Sequence, residues 1–336
     1  MAALEHVAEG GETDTARIAA VVIGRNEGAR LEACLASLQG MVGQICYVDS
    51  GSTDGSVEHA RAVGAHVVAL DGSQPFTAAR ARNAGLATLD RADVSLVQFV
   101  DGDCVVAPGW ISAARALLEA RPEVGVVCGR RREAHPEASI YNRLCDLEWQ
   151  GPAGEVRACG GDALMRLAAL DAVGGYDPSL IAGEEPELCV RLRQAGWKIW
   201  RLDAEMTLHD ARMTRFSQWW RRSLRAGHAF AEGAALHGAP PERHWVAETR
   251  RALLWGAALP LAIRAAALAH PAALVLFAAY PVQVLRLAAR HGLARRAAWE
   301  WALFTVLGKF AEASGALRYY AGRATQRRAT LIEYKS

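Results

Sequence analysis

Short apolar runs that end in polar, glycine-containing turns recur through the first hundred residues, and they constrain the fold most strongly. Four such runs lie at residues 18–23, 44–48, 66–70 and 94–100. Their length and β-branched composition are typical of buried strands, and helical spacing of apolar residues follows between them. Strands that alternate with helices predict a doubly wound, mostly parallel α/β sheet with helices on both faces.

The fourth run ends in two carboxylates separated by a glycine, Asp101-Gly102-Asp103. Ligands of open α/β sheets bind at the carboxyl ends of the strands. Two carboxylates at such a point repel each other, and a hard divalent cation relieves the repulsion while keeping positions open for substrate phosphates. The pattern therefore predicts a Mg²⁺ or Mn²⁺ site. The alternative is an ordinary Asp-Gly turn.

Composition excludes some classes of protein. The 336 residues leave room for an α/β domain of roughly 200–250 residues and an appendage. A net charge of +2 argues against a nucleic-acid-binding protein. Seven cysteines without a C-x-x-C pair indicate reduced thiols in a cytosolic compartment. Residues 1–17 contain no apolar segment, so we expect a flexible lead-in and no signal peptide.

Four motifs within residues 18–230 occur together: V-V-I-G-R-N-E, V-D-S-G-S-T-D-G, A-A-R-A-R-N-A-G and F-V-D-G-D. In this order they resemble the family 2 glycosyltransferases, which are inverting enzymes with the GT-A fold. One departure is Gly24, where the family usually has proline. The resemblance implies a nucleotide-diphosphate sugar donor, of the UDP type, and Mg²⁺ or Mn²⁺ as cofactor.

The resemblance also implies a donor pocket at the strand ends. Asp49 would accept hydrogen bonds from uracil or ribose, although it could instead be a helix N-cap. The arginines of the third motif suit phosphate, although a solvated pair is the alternative. Asp162 would touch the donor sugar, cap a helix predicted at residues 164–170, or do both. The implied donor-binding residues are Asn26, Glu27, Asp49, Arg80, Arg82, Asn83, Asp101 and Asp162.

Family analogy assigns the metal ligands within and beyond the Asp-Gly-Asp turn. Asp103 is the implied direct ligand, and Asp101 contacts the ribose or a metal-bound water. His209 completes the metal site in some relatives, and imidazole beside carboxylates is a credible ligand set for Mn²⁺. A structural histidine is the alternative.

The segment G-E-E-P-E-L at residues 183–188 resembles the family motif that contains the catalytic base. In inverting members an acidic residue of this motif deprotonates the acceptor hydroxyl. Glu185 stands where aspartate is usual, so the choice between Glu185 and Glu184 stays open. Pro186 after two glutamates also fits a plain helix N-terminus.

Two further segments concern the acceptor. Gln218, Arg221 and Arg222 resemble a motif that holds acceptor and diphosphate in processive members, but its final tryptophan is replaced by Arg222, which puts processivity in doubt. The three arginines at 130–132 could meet pyrophosphate or an anionic acceptor, or form a solvated basic loop.

Composition changes after residue 250. Residues 251–285 are mostly alanine, leucine and valine, and 265–285 is long enough to cross a bilayer. A transmembrane or re-entrant hairpin competes with an alanine-rich helical bundle that packs on the catalytic domain. We favour membrane association, which lipid-linked acceptors would explain. We predict four parts: a lead-in at 1–17, a GT-A catalytic domain at 18–230, a helical membrane-associated region at 231–322 and a basic, mobile tail at 323–336.

The resemblance implies a metal-dependent inverting glycosyltransferase, and together with the apolar C-terminal region it implies a place at the cytoplasmic face of a bacterial inner membrane, held peripherally or by that region. Its acceptor would be a glycan or lipid-linked glycan in exopolysaccharide synthesis. The alternatives are a nucleotidyltransferase and a catalytically silent scaffold subunit. A nucleotidyltransferase usually has a glycine-rich, lysine-bearing loop after the first strand, and this sequence has no such loop there.

Overall fold

The computed structural model describes residues 17–325. The predicted lead-in and basic tail therefore lie almost wholly outside the described residues. The described chain forms two compact units. The first comprises residues 17–135, 145–180 and 184–211, and the second comprises residues 136–144, 181–183 and 212–325.

The first unit contains a nine-stranded mixed sheet, which confirms the predicted α/β class. The strand order is β3-β2-β1-β4-β8-β6-β9-β5, and β7 pairs with β9. The strands are β1 (Ile18–Gly24), β2 (Gln44–Asp49), β3 (His66–Ala69), β4 (Leu96–Asp101), β5 (Cys104–Val106), β6 (Val124–Glu133), β7 (Gly154–Val156), β8 (Ala163–Arg166) and β9 (Lys198–His209).

Helices of this unit follow the apolar spacing of the sequence. The first helix buries Leu31, Cys34, Leu35 and Leu38, as predicted. The helices are α1 (Ala29–Leu38), α2 (Ser56–Ala62), α3 (Ala78–Ala87), α4 (Trp110–Ala120), α5 (Ile140–Glu148, which begins in the second unit), α6 (Leu167–Val173) and α7 (Glu184–Gln194).

Sheet register brings the predicted functional turns to one edge. β1 lies between β2 and β4 and is parallel to both. Gly24 at the end of β1 is paired with Asp49, and Ile23 is paired with Asp101. The carboxyl ends of these three strands therefore meet at the same edge of the sheet, where ligands of open α/β sheets bind.

The prediction of a helix at residues 164–170 is wrong for the first half of that range. Residues 163–166 form β8, which is antiparallel to both β4 and β6, and α6 begins only at Leu167. Leu164 and Met165 are fully buried there, because the central strand is covered on both faces. Asp162 precedes this strand, so its interpretation as a helix N-cap is also wrong.

The sequence of residues 200–203 predicts an edge strand, and this prediction is wrong too. These residues belong to the twelve-residue β9, and Trp200 and Arg201 are paired with β6 on one side and β7 on the other. The apolar run at residues 124–128 predicts another strand, and β6 continues past its end to Glu133. Both extensions lie where charged residues interrupt the apolar pattern on which strand prediction depends.

Gly85 allows α3 to pack closely on the sheet. A Cβ atom at this position would lie 2.4 Å from Val21 Cγ1 and 3.1 Å from Val48 Cγ2. We expect Gly85→Ala to lower the free energy of unfolding by about 1–3 kcal/mol, because an added methyl group overpacks a fully buried contact. Urea unfolding followed by circular dichroism measures this.

Gly308 provides the matched helical control for that substitution. A Cβ atom there would meet its nearest neighbour at 3.5 Å, which is ordinary contact. Gly308→Ala should therefore leave stability unchanged or raise it by about 0.5–1 kcal/mol through the helix propensity of alanine. Equal losses in the two variants would contradict the packing argument.

The second unit is helical. Its helices are α8 (Phe216–His237), α9 (Val246–Leu253), α10 (Leu259–Ala269), α11 (Ala279–His291) and α12 (Arg296–Ala324), with a π-helical turn (Leu254–Ala258) joining α9 to α10 and a 3₁₀ segment (Pro271–Ala278) preceding α11.

Two helical stretches, Val246–Ala269 and Pro271–His291, are long and apolar enough to cross a membrane. They are separated at His270, whose backbone is extended. The continuous span predicted at residues 265–285 is therefore wrong, because Pro271 cannot continue the preceding helix. The paired arrangement is the one that a hairpin requires.

Candidate active site

Asp103 and His209 lie side by side at the sheet edge. Asp103 follows β4, His209 ends β9, and the antiparallel β5–β9 pairing brings them together. His209 Nε2 lies 3.2 Å from Asp103 Oδ2, and Nδ1 lies 3.5 Å from Glu133 Oε2. All three side chains are buried. A carboxylate thus lies on each side of the imidazole, an arrangement common around metal-binding histidines.

Asp101 is held by two guanidinium groups. Its Oδ1 accepts a hydrogen bond from Arg82 Nη2 at 3.0 Å, and its Oδ2 accepts one from Arg131 Nη2 at 3.2 Å. Gly161 lies directly over this contact, since a Cβ there would be 2.7 Å from Arg82 Nη2. The Asp101 carboxylate therefore has a fixed orientation before any ligand binds.

Arg82 also contacts both candidate bases. Its Nη1 lies 3.1 Å from Glu184 Oε1 and 2.7 Å from Glu185 Oε1. The two glutamates occupy the first turn of α7, where the helix dipole stabilises negative charge. One buried guanidinium thus joins the end of β4 to the start of α7.

Glu185 is the better placed of the two glutamates to take a proton. Burial raises its pKa to about 7, with a further rise from the neighbouring Glu184 and a partial opposing effect of Arg82. Its side chain is 13% exposed, whereas that of Glu184 is 5% exposed. A base whose pKa lies near neutrality is suited to general base catalysis.

Asp162 braces the Asp-Gly-Asp turn from the neighbouring strand. Its Oδ1 accepts a hydrogen bond from the Asp101 backbone N–H at 3.1 Å, and its Oδ2 accepts one from Thr207 Oγ1 at 2.7 Å. Arg131 Nη1 lies 3.6 Å from the same Oδ2. The structure thus places Asp162 against Asp101, and its contact with a donor sugar stays a prediction.

The predicted nucleotide residues of the first two motifs organise adjoining turns. Asp49 accepts hydrogen bonds from Tyr47 Oη and from the N–H groups of Gly51 and Ser52. It does not cap α2, which begins seven residues later, so the N-cap interpretation is wrong. Asn26 Oδ1 accepts a hydrogen bond from the Thr53 N–H at 2.7 Å.

Glu27 belongs to the same edge and forms an ion pair with Arg30, whose Nη2 lies 2.5 Å from Glu27 Oε2. The nucleotide roles of Asn26, Glu27 and Asp49 stay predictions. The structure shows that these side chains also connect the β1 and β2 turns to their own helices and to each other.

Arg80 and Asn83 have different surroundings from Arg82. Arg80 donates to the carbonyls of Asp71, Gln74 and Pro75 and so closes the loop before α3. Asn83 exchanges two hydrogen bonds with the backbone of Tyr176. Of the three residues, only Arg82 contacts the Asp101 and Glu185 carboxylates, and the donor-binding roles of the other two stay predictions.

The structure shows contacts of β6 side chains that the sequence interpretation did not assign. The three arginines at 130–132 lie on β6, and each guanidinium meets carboxylates, so a solvated loop is wrong. Arg131 also stacks over Trp149, at 5.0 Å from its ring centroid. Arg131 and Glu133 are two residues apart on β6, so both side chains lie on the face of the sheet that carries the site. This alternation within a charged run is the signal that could have predicted their place in the site.

The predicted acceptor residues lie in the second unit, at the start of α8. Gln218 Oε1 accepts hydrogen bonds from the N–H groups of Thr214 and Arg215 and closes the N-terminus of this helix. Arg221 is exposed on the same helix and Arg222 is half-buried. Their roles toward an acceptor stay predictions.

Overall, carboxylates outnumber cationic side chains at this edge of the sheet. Asp101, Asp103, Asp162, Glu184 and Glu185 face two guanidinium groups, Arg82 and Arg131. Such a surplus favours a cation. The donor set of Asp103 and His209, with hard oxygen and imidazole ligands, fits Mg²⁺ or Mn²⁺.

The mixed sheet, with its acidic turn after β4, has the GT-A fold. Among solved structures, a mannosyltransferase from Pyrobaculum calidifontis in complex with GDP-mannose and Mn²⁺ superposes with a TM-score of 0.61. The two chains share 21% sequence identity, over 90% of this chain and 87% of the other. This likeness confirms the predicted fold.

Residues 20–157 match the family model described as glycosyl transferase family 2. The succinoglycan biosynthesis protein ExoA of Rhizobium meliloti is 29% identical over 210 residues, which is 58% of this chain and 63% of that protein. A pre-mycofactocin glycosyltransferase of Mycobacterium tuberculosis is 29% identical over 233 residues, which is 66% of this chain and 48% of that protein. Residues 20–157 are therefore similar to a family 2 glycosyltransferase domain, and the chain spans about half to two thirds of the length of these relatives.

Proposed function

We propose that this chain transfers a sugar from a nucleotide-diphosphate donor to an acceptor hydroxyl with inversion at the anomeric carbon. The observation that carries the proposal is the Arg82 bridge. One buried cation holds Asp101 at the end of β4 and Glu185 at the start of α7. Asp101, on the proposed donor side, and Glu185, the proposed base, are thereby held in fixed positions relative to each other. Direct displacement requires such a fixed geometry of donor and base.

Glu185 is the proposed base. Its carboxylate takes the proton of the acceptor hydroxyl, the acceptor oxygen forms the new bond to the anomeric carbon, and the bond to the nucleoside diphosphate breaks. The leaving diphosphate carries away the bonding electron pair. Arg82 stays paired with Glu184 and Asp101 and so keeps Glu185 in position.

Asp103 and His209 are the proposed ligands of Mg²⁺ or Mn²⁺. The bound cation would supply charge neutralisation for the departing diphosphate. Asp101 has both oxygens on arginines, so we propose that it contacts the ribose or a metal-bound water. Cys104 Sγ also lies within 4.8 Å of the Asp103 and His209 ligand atoms, but burial raises the pKa of this thiol and disfavours the thiolate.

The proposed donor is a UDP-sugar and the proposed acceptor is a glycan or lipid-linked glycan. Similarity to a succinoglycan biosynthesis protein supports an exopolysaccharide acceptor. Two apolar helical stretches support membrane association. The cytoplasmic face as the side of catalysis is part of the proposal and follows from the family resemblance. We retain Gln218, Arg221 and Arg222 as proposed acceptor residues.

Calorimetric titration with UDP, GDP and ADP, each with and without Mn²⁺, tests the proposal. Tight binding of UDP that depends on Mn²⁺ is the expected result. A preference for GDP, the nucleotide of the mannosyltransferase complex, would change the proposed donor from a UDP-sugar to a GDP-sugar and leave the proposed site unchanged. A folded sample that binds no nucleotide would overturn the proposal in favour of a silent scaffold.

Asp103→Asn tests the metal site directly. We expect nucleotide binding in the presence of Mn²⁺ to weaken by roughly 10–100-fold, because the amide is a poorer ligand than the carboxylate. Calorimetry with and without Mn²⁺ measures this.

Asp203→Asn is the control for the loss of one aspartate charge, since Asp203 is exposed and pairs with Arg130 on the same sheet. Its nucleotide affinity should equal that of the wild type. Metal-independent binding by the wild-type protein would contradict the assignment of Asp103.

A further inference from the structure

A second site lies in the helical unit, in a cavity of about 340 Å³. Helices α9, α11 and α12 and the π-helical turn enclose it. Its walls combine two indole rings with aliphatic side chains, and cations and neutral hydrogen-bond donors lie among them. The lining residues are Arg251, Trp255, Gln283, Leu287, Arg290, Trp301, Thr305, Val306 and Lys309.

Several donors of this cavity have no protein partner among the described residues. Arg290, Gln283 and Thr305 form no side-chain hydrogen bond or ion pair with residues 17–325. By contrast, Arg251 pairs with Glu248 at 2.7 Å and Lys309 with Glu312 at 2.5 Å. Three donors that line one cavity without protein acceptors favour an anionic ligand with several oxygens, such as a phosphate.

The position of the cavity along the chain points to the source of that phosphate. Arg251 and Arg290 lie near the outer ends of the two membrane-span candidates, and the helices join at the opposite end, at His270. Near the join, Leu268 is 91% exposed and Val275 is 72% exposed. A hairpin that inserts this apolar end would hold its charged end at the level of the lipid headgroups.

We propose that this cavity binds the phosphate headgroup of an anionic membrane lipid. Arg290, Gln283 and Thr305 donate to the phosphate oxygens, and Trp255 and Trp301 contact the glycerol region and the first methylenes. Trp side chains are suited to this boundary because one end is apolar and the other donates a hydrogen bond. The inference rests on the proposed membrane association, and it adds a lipid site that the transfer reaction does not require.

Lipid binding to the full chain in detergent tests the proposal by native mass spectrometry. We expect one tightly retained phosphatidylglycerol and much weaker retention of zwitterionic phosphatidylcholine. Arg290→Gln should weaken phosphatidylglycerol binding about tenfold, the effect of one charge-assisted hydrogen bond. Thr305→Phe, which fills the cavity without changing charge, should weaken it similarly.

Arg286→Gln is the matched control. Arg286 lies one turn before Arg290 on α11 and is exposed, as Arg290 is, but it does not line the cavity. Its removal should change binding by less than about twofold, because a charge outside the cavity makes no direct hydrogen bond to the bound phosphate and is screened by water. Equal losses in the two arginine variants would overturn the proposal, since they would indicate surface electrostatics alone.

Two further outcomes would also overturn it. Equal retention of phosphatidylcholine and phosphatidylglycerol would show that the cavity does not select anionic headgroups. Displacement of phosphatidylglycerol by millimolar inorganic phosphate would show a site for free phosphate. Nucleotide titration of the same samples separates this proposal from the transferase proposal, because Arg290→Gln should bind UDP and Mn²⁺ like the wild type.

Discussion

Glu185→Gln should lower turnover by about 10²–10⁴-fold while leaving Mn²⁺-dependent nucleotide binding unchanged. The amide keeps the size and the polar contact of the side chain but cannot accept the acceptor proton, so only the chemical step loses its base. Transfer rates at saturating donor, together with calorimetric nucleotide affinity, separate the two effects.

The wild-type rate should also depend on pH in a way that the variant does not share. Burial and the neighbouring Glu184 raise the pKa of Glu185 to about 7, and the base must be deprotonated to act. Turnover should therefore rise tenfold per pH unit below about 7 and level off above it. In Glu185→Gln this acidic limb should disappear from the residual rate.

The same shift has a consequence for folding stability. The usual pKa of this side chain is 4.5, so the native state binds the proton more tightly than the unfolded chain does. The contribution of Glu185 to stability is therefore fully favourable below 4.5 and is lost as the pH rises toward 7. A group that lowers stability at working pH is typical of functional sites.

Glu184→Gln distinguishes the two glutamates of α7. Glu184 is the more buried of the pair and shares the guanidinium of Arg82. If Glu185 is the base, the Glu184 variant should keep turnover within about tenfold and lower the pKa seen in the rate profile, because one neighbouring negative charge is gone. A larger loss in Glu184→Gln than in Glu185→Gln would assign the base to Glu184.

The parts of the fold that sequence patterns predicted are those that depend on local, apolar periodicity. β1, β2 and α1 follow from short buried runs and a helical stripe, and the Asp101-Gly102-Asp103 turn follows from the strand before it. The sequence of β8 was interpreted as part of a helix, because a short continuous apolar run has no periodicity that distinguishes a strand from a helix. Its place between β4 and β6 is decided by tertiary pairing.

Much of the candidate site could not be predicted because it depends on contacts between distant segments. Arg131 and Glu133 lie in a charged extension of β6 that resembled a loop, although alternate side chains there point inward. The pairing of β9 brings Thr207 to Asp162, and the residues around Thr207 in the sequence do not indicate that it belongs to the site. Arg82 and Glu184 are 102 residues apart.

Arg82 is consequently the residue on which we expect stability to depend most. Asp101, Glu184 and Glu185 all lie within 3.1 Å of its guanidinium nitrogens, and the arginine side chain is almost fully buried. Arg82→Met would remove the only cation that contacts Glu184 and Glu185 in the described ion pairs and leave buried carboxylates uncompensated. Removing one partner of a buried ion pair costs about 3–5 kcal/mol.

Urea unfolding followed by circular dichroism at pH 8 measures this loss, and the pH dependence tests its cause. At pH 5 the loss should shrink, because a proton on Glu185 removes part of the repulsion that methionine leaves. Arg82→Lys should lie between the wild type and Arg82→Met, since the ammonium keeps the charge but cannot span both carboxylate groups as the planar fork does.

Arg91→Met is the surface control for this series, because Arg91 pairs with Asp171 and both side chains are 51% exposed. Exposed pairs contribute only about 0–1 kcal/mol, so this variant should remain close to the wild type. If Arg82→Met unfolds before it can be isolated, the lysine variant still tests the role of the planar guanidinium. A lysine variant as stable as Arg91→Met, with unchanged turnover, would show that a single ammonium charge suffices and that the guanidinium of Arg82 is not needed to position Glu185 for proton transfer.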